Sequence, residues 1–385
     1  MSVCSVTEHI FNDDLLANPG DMQWVEQRYS KLLPVLDFPE LRQAFLTHDA
    51  LAIQAHRRVM GWGLLAILCA VIALLAAASE PLWGGHGLLP RAVGTGTELL
   101  GLLGAFVGAG RMWLGPSKRD WLLNRLAAEQ LRQWHFQFIL QRGDLIVPAL
   151  GGDESQVHDF RAARACLFED FRAGLRGKLD SLLTSLLSVN YEKEKTLVPR
   201  GSLPHHGYTD QDELFVPLAE IYWRLRLRHQ LQYVQYKLQT STEYGWRQFL
   251  RWPILIQKEV LGGLGTSCIV MAIRVSIAII IGHVLPMVVG ETPVSAALEH
   301  PLLNSAAVGL AIVAVAVRTI EDGLGLKPDI ERYRHFANEL ERLLTQWQEA
   351  PGLSGRLSVM ERCEEACFEE LREFLVVHHH TKFAL

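Results

Sequence analysis

The apolar residues of this chain fall into four long runs, and between the runs apolar and polar positions recur at helical spacing. The run from Val59 to Ser79 carries no charge. At 1.5 Å rise per residue it is long enough to cross a hydrocarbon core of about 30 Å. A connection rich in Gly and Pro, Pro81 to Pro90, leads to a second run, Gly94 to Gly110, with Glu98 near its outer end. The third run, Val260 to Gly290, is interrupted by Arg274 and His283, and the fourth, Pro301 to Val317, is uncharged. Taken in pairs, the runs predict two helical hairpins, at about 59–110 and 262–318. The first run begins some sixty residues from the start, with no short charged n-region at the N-terminus, so it is not expected to be a cleaved secretory signal.

Outside the runs, the periodicity predicts amphipathic helices over 117–142, 156–190, 214–250 and 328–376. Within 214–250, Tyr222, Arg226, Gln230, Tyr233, Tyr236 and Trp246 predict one helix leading straight into the third run, with Pro253 kinking it. Residues 191–211 read as a linker: Glu192 to Lys195 alternate in sign, and Pro, Gly and His follow. Leu197 to Ser202 within it is identical to a thrombin cleavage sequence, and no function is attached to it. The expected fold is therefore all-α: a polytopic membrane protein with two helical hairpins in the membrane and long cytoplasmic helices forming a bundle.

Orientation follows from Lys and Arg at the ends of the runs, since positive charge is kept on the cytoplasmic side. Arg57 and Arg58 precede the first run; Arg111, Lys118 and Arg119 follow the second; Arg247, Arg251 and Lys258 precede the third; Arg318 and Lys327 follow the fourth. Both termini and the middle segment are expected in the cytoplasm, and the protein in a bacterial inner membrane.

The halves also echo each other at an offset of roughly two hundred residues. Arg125, Ala128, Glu129 and Leu131 recur as Arg334, Ala337, Glu339 and Leu340; Ala165-Cys166 recurs as Ala366-Cys367, and Cys69 as Cys268. This predicts two modules, 1–190 and 212–385, joined by the linker. Each would hold its own hairpin and its own polar helices.

Charge and motif content narrow the function. With a net charge of -5 there is no basic field to gather nucleic acid, so none is expected as a partner. The six cysteines include no CxxC pair, which argues against a disulfide framework or a zinc site, and no metal or cofactor is expected. His378, His379 and His380 read as a solvated tail. P-loop, GxSxG, HExxH and dinucleotide glycine motifs are absent, so no catalytic residue is assigned and no enzyme is expected.

Certain residues carry a resemblance. Asp49 to Ala52 with His56, Arg57 and Arg58 stand before the first hairpin, and Trp121, Arg125, Ala128, Glu129 and Leu131 follow it. The string Tyr222, Arg226, Gln230, Tyr233 and Tyr236 precedes the second. In these features the chain resembles the SLATT group, two-span membrane effector modules that accompany SMODS and SLOG sensors in bacterial conflict systems, here as a tandem duplication. The resemblance implies a pore-forming effector in antiviral defence, triggered by a nucleotide or a sensor protein. The chain departs from the usual arrangement in carrying two modules and no sensor domain that can be recognised.

Arg274, Glu98 and His283 are the candidates for a pore or gate, because a charge inside a span is costly unless protein, water or the interface faces it. Gly101, Gly104 and Gly108, with Ala307 and Ala311, are candidates for close helix packing. Tyr222, Arg226, Gln230, Tyr233, Trp121, Arg125 and Glu129 are candidates for contacts among the cytoplasmic helices. The leading expectation is a homo-oligomeric inner-membrane effector or ion channel. The alternative is a non-conducting membrane scaffold that binds a cytoplasmic partner through its helical body.

Overall fold

Among the described residues the helical periodicity becomes helix, and sequence punctuation sets the boundaries, with 328–376 dividing in two around Pro351. The computed structural model describes residues 13–17, 19–83, 88–114, 116–151, 153–188, 197–198, 215–239, 252–290, 293, 297 and 300–381. Among them there is no strand. The order is α1 (Pro19–Tyr29), α2 (Leu33–Leu36), α3 (Pro39–Trp83), α4 (Leu88–Leu114), α5 (Ser117–Gln141), α6 (Gly143–Leu150) and α7 (Glu154–Leu186). Then come α8 (Phe215–Tyr222), a π-helical turn (Trp223–Arg228), α9 (His229–Lys237), α10 (Ile254–Val289), α11 (Pro301–Leu324), α12 (Leu326–Glu349) and α13 (Gly352–His380).

Capping chemistry explains several ends. Asp153 accepts a hydrogen bond from the Ser155 amide at 3.2 Å and opens α7. Pro301 stands in the first turn of α11, where its missing N–H costs nothing. Gly325 closes α11 at φ 66°, a left-handed position that glycine occupies without strain.

Four helices are long and apolar enough to cross a membrane: the C-terminal part of α3, α4, α10, and α11. The helix expected over 214–250 is corrected. It ends at Lys237, and α10 starts afresh at Ile254 with Pro253 at its N-cap. Proline has no amide hydrogen and pushes the residue before it out of the α region, so a helix restarts there more cheaply than it runs through. The remainder of that segment, 240–251, and the linker 191–211 apart from Leu197 and Val198 lie outside the described residues.

The chain divides into two units, and they are not the two halves of the sequence. The first comprises Met1–Ile53, Asp120–Leu238 and Glu331–His379; the second comprises Gln54–Arg119, Gln239–Ile330 and His380–Leu385. Each half gives its polar helices to the first unit and its apolar helices to the second. The expectation of one self-contained body per half is thereby revised.

In the first unit α5 is the central helix. It is buried on nearly every side from Leu126 to Leu140, Gln130, Arg132, Gln133 and His135 included. A one-sided amphipathic helix was the expectation, and polar residues on its other face find partners instead of solvent. Trp134 stacks at 5.1 Å on Phe138 and meets Phe168 edge-on at 5.3 Å, with Phe38 5.0 Å from Phe168.

In the second unit α3 is flanked on two sides. At 100° per residue, Ala66, Cys69 and Ala73 lie on a face roughly 160° from that of Met60, Ile67, Val71 and Leu75. The first face receives the glycines of α4. The second packs with Ala316, Ile320 and Leu324 of α11. Helix α11 in turn carries α10, with Val317 next to Gly265.

Candidate functional site

Helix α13 buries a stripe at i, i+3 and i+4 spacing: Met360, Cys363, Cys367, Leu371 and Leu375, with Glu364 set among them. A carboxylate inside an apolar stripe needs a cation, and the π-helical turn supplies one. Arg226 donates from Nε to Oε1 of Glu364 at 2.8 Å and from Nη2 to Oε2 at 3.0 Å. The two side chains are 1% and 3% exposed. The Tyr222 hydroxyl lies 2.8 Å from Glu364 Oε1 and 3.1 Å from the Met360 carbonyl, so its single proton serves one or the other.

From Arg226 the charges continue in alternating sign. Its Nη1 is 3.6 Å from Asp14 Oδ2, which Arg132 Nε approaches at 3.0 Å. Arg132 Nη1 donates to Glu129 Oε1 at 2.8 Å. Glu129 also meets Arg125 at 2.8 Å, and Arg125 reaches Asp49 at 3.4 Å. The line Glu364, Arg226, Asp14, Arg132, Glu129, Arg125, Asp49 thus strings four carboxylates between three guanidinium groups. Among the described residues neither oxygen of Asp14 has a hydrogen bond, and the two arginines attract it across 3.0 and 3.6 Å. The rings of Phe136 and Phe45 lie 4.7 Å from the guanidinium carbons of Arg226 and Arg132, adding cation–π contacts.

This arrangement fixes protonation states. Burial works against the charge on Glu129, but Arg132, Arg125 and Arg226 outweigh it and hold its carboxyl below the usual range. Burial likewise opposes the charge of Arg226, and acidic neighbours including Glu364 and Asp14 raise its pKa well above normal. His135 has no such carboxylate. Burial first, and then Arg164, Arg226 and Arg42, push it down to about 3. A separate arginine, Arg164, gathers the backbone carbonyls of Val35 at 2.9 Å, Asp37 at 3.0 Å and Pro34 at 3.3 Å. These oxygens at the end of α2 have few helical partners of their own, and Arg164 satisfies them.

The residues singled out from sequence fall into place unevenly. Tyr222, Arg226, Arg125 and Glu129 belong to one ion line or touch it. Tyr233 bonds Tyr333 at 3.1 Å between hydroxyls. Trp121 packs against Phe374 at 5.8 Å and His378 at 4.9 Å. His378 is therefore buried and not part of a solvated tail, because α13 extends through it to His380 and turns it inward. Gln230 is half-buried. Asp14, Arg132, Glu364, Arg164 and His135 were not singled out. The legible signal was a charge placed within an apolar stripe, as Glu364 is.

In the second unit, Gly101, Gly104 and Gly108 lie against α3. A Cβ on Gly101 would stand 2.7 Å from the Cys69 carbonyl oxygen, on Gly104 2.6 Å from Cys69 Sγ, and on Gly108 2.8 Å from Ala66 Cβ. The alanines of α11 divide: Ala314 and Ala316 are buried, Ala307 is half-buried and Ala311 is exposed. His283 is exposed, with Nδ1 2.9 Å from the Ile279 carbonyl of its own helix. Glu98 is half-buried and Arg274 exposed, and among the described residues neither has an ion pair or a hydrogen bond from its side chain. Around them the surface is apolar: Leu100 and Phe106 on α4 are 71% and 79% exposed, and Ile273, Ile277 and Ile281 flank Arg274 on α10. Among the described residues no cluster of three His, Cys, Asp or Glu side chains is placed to hold a metal ion.

No family model, no curated protein and no solved structure matches the chain.

Proposed function

We propose that the chain is a homo-oligomeric effector or ion channel of a bacterial inner membrane, with its polar helical unit in the cytoplasm. The observation that carries this reading is Arg274, an exposed guanidinium with no ion pair among the described residues, on the apolar surface of a helix long enough to span. Left against lipid it is costly, and protein from another copy or water relieves that cost. Large apolar side chains exposed on α4 and α10 support the same environment, since lipid or a neighbouring span covers them in a bilayer.

The basic residues support an orientation with the polar helices in the cytoplasm. Arg57, Arg58, Arg111, Arg119 and Arg318 are all exposed. They lie where α3 enters its apolar stretch and where α4 and α11 leave theirs, on one side of the antiparallel arrangement. In this reading the polar unit receives the signal, a nucleotide or a sensor protein, as the resemblance to SLATT modules implies. The buried ion line is the element a signal would rearrange, because it joins α3, α5, α13 and the π-helical turn.

The test is ion or dye flux through liposomes holding the purified protein, with and without candidate nucleotides and across pH. Flux that depends on the protein supports the reading. A folded, inserted oligomer that never conducts, yet retains a soluble partner lost on substitution of its polar helices, establishes the scaffold alternative instead.

A further inference from the structure

Among the described residues neither Arg274 nor Glu98 has an ion pair, and they lie on different helices. The helix contacts of the second unit fix their relative depth. Gly265 of α10 stands beside Val317 of α11, with 3.5 Å from its would-be Cβ to Val317 Cγ1. The two helices run antiparallel, so moving nine residues along α10 to Arg274 corresponds to moving back along α11 to Val308. Its neighbour Gly309 contacts Leu75 of α3, at 3.4 Å from its would-be Cβ to Leu75 Cδ2. On the other face of α3, Ala73 lies 2.8 Å from the would-be Cβ of Gly101, and three residues on in each direction Ala76 stands level with Glu98. Arg274 and Glu98 therefore share a depth to within about one helical turn, roughly 5 Å.

They also face outward from the helices that hold them. Along the span proper, Leu261, Gly265 and Gly282 are buried and share one side, and Arg274 lies roughly 140° around the helix from it; Ile256, buried on the Arg274 side, stands about five turns earlier in the first turn of α10. Glu98 sits on the flank of the glycine stripe of α4, next to the exposed Leu102 and Phe106. Each copy thus carries one cation and one anion at a common level, on α10 and α4. Between Glu259 and Glu291 the sequence has no acidic residue at all, so α10 cannot neutralise Arg274 itself.

The geometry points to a second copy of this chain as the occupant: Arg274 on α10 of one protomer pairs with Glu98 on α4 of the next. The two surfaces are different, so the contact is head-to-tail, the kind that builds a ring where its rotation closes. In a low-dielectric layer an isolated charge of either sign is penalised, and an Arg–Glu pair offsets part of both penalties. The pair sets register and depth between neighbours, while the small side chains of Gly263 and Ser267 on the Arg274 face let the helices come close. Arg274 is then an interface residue, and the lining of any conduit belongs to other faces. This inference rests on the homo-oligomeric membrane reading above.

The experiment is a charge swap read as oligomer mass, by light scattering in detergent and in lipid nanodiscs. Glu98→Arg alone and Arg274→Glu alone each place like charges together and raise the dissociation constant by about a hundredfold or more, leaving monomer. The double variant restores the wild-type mass. If wild type is itself monomeric in nanodiscs, the homo-oligomer reading fails. If wild type is oligomeric and both single variants keep its mass, that reading stands and this pairing is overturned. Where a single variant loses helicity by circular dichroism, a second measurement decides. Two differently tagged copies, one Glu98→Cys and one Arg274→Cys, are co-expressed and treated in membranes with a short bis-maleimide, each alone serving as control. A covalent dimer carrying both tags, absent from the controls, supports the pairing; an oligomer without that dimer overturns it.

Discussion

Arg226 and Glu364 are 138 residues apart in the chain and meet through two parallel hydrogen bonds in the interior of the polar unit. The pair fastens the π-helical turn after α8 to the last long helix, and Tyr222 one turn earlier approaches the same carboxylate. Tyr222 and Arg226 stand four residues apart, close to one helical turn, so both come to bear on α13.

Removing one partner leaves a buried charge uncompensated. Glu364→Leu or Arg226→Met alone is expected to destabilise the protein by about 3–5 kcal/mol, whereas the two together recover most of the loss. Denaturant midpoints in detergent, followed by circular dichroism, complete the double-mutant cycle. A double variant as unstable as the sum of the two singles would show that the pair is not the unit described.

His135 gives the protein an acid-sensitive element. Its ordinary pKa of 6.5 applies in the unfolded chain, while in the folded protein it stays neutral down to about 3. As pH falls below 6.5 the unfolded state takes up a proton first. Stability therefore drains between about pH 6.5 and pH 3, at about 1.4 kcal/mol per pH unit from this group. His135→Leu lacks this slope, so its stability relative to wild type should improve steadily from pH 7 to pH 4.5. A constant difference across that range contradicts the assignment.

The glycines of α4 differ in what faces them. Gly101→Ala drives a methyl into the Cys69 carbonyl and Ala73, backbone and short side chain that cannot turn aside. Gly104→Ala meets mainly the Cys69 sulfur, which rotates away. Gly101→Ala should cost about 1–3 kcal/mol and Gly104→Ala less, with Cys69→Ala relieving only the second. Thermal melts in detergent of the three single variants, and of each glycine variant combined with Cys69→Ala, check the order.

Arg164→Gln should cost about 2 kcal/mol, since the shorter amide cannot reach the carbonyls of Val35 and Asp37 together and leaves a buried acceptor unpaired. Hydrogen exchange at α2 should rise with the loss, and unchanged protection there would assign Arg164 another role.

The helices were legible because their signals are local. Uncharged runs, period-3.6 patterning, Asp153 and Pro301 at helix starts and Gly325 at a helix end each act over a few residues, and each reads directly as an element boundary. The ion line was only half legible. Arg125 and Glu129 stand one helical turn apart and are visible as a pair, whereas Asp14 and Glu364 join Arg226 across 212 and 138 residues of chain.

By itself the sequence determined an all-helical chain, four helices apolar and long enough to span a membrane, and the polar character of the remainder, since hydrophobic content and period are properties of neighbouring residues. Only the tertiary structure decided that both halves contribute to the same two units, that Glu364 lies opposite Arg226, and that Arg274 and Glu98 share a depth. Those facts depend on how helix faces meet, which is fixed by side-chain fit and charge pairing between segments distant in the chain. No local pattern encodes that meeting.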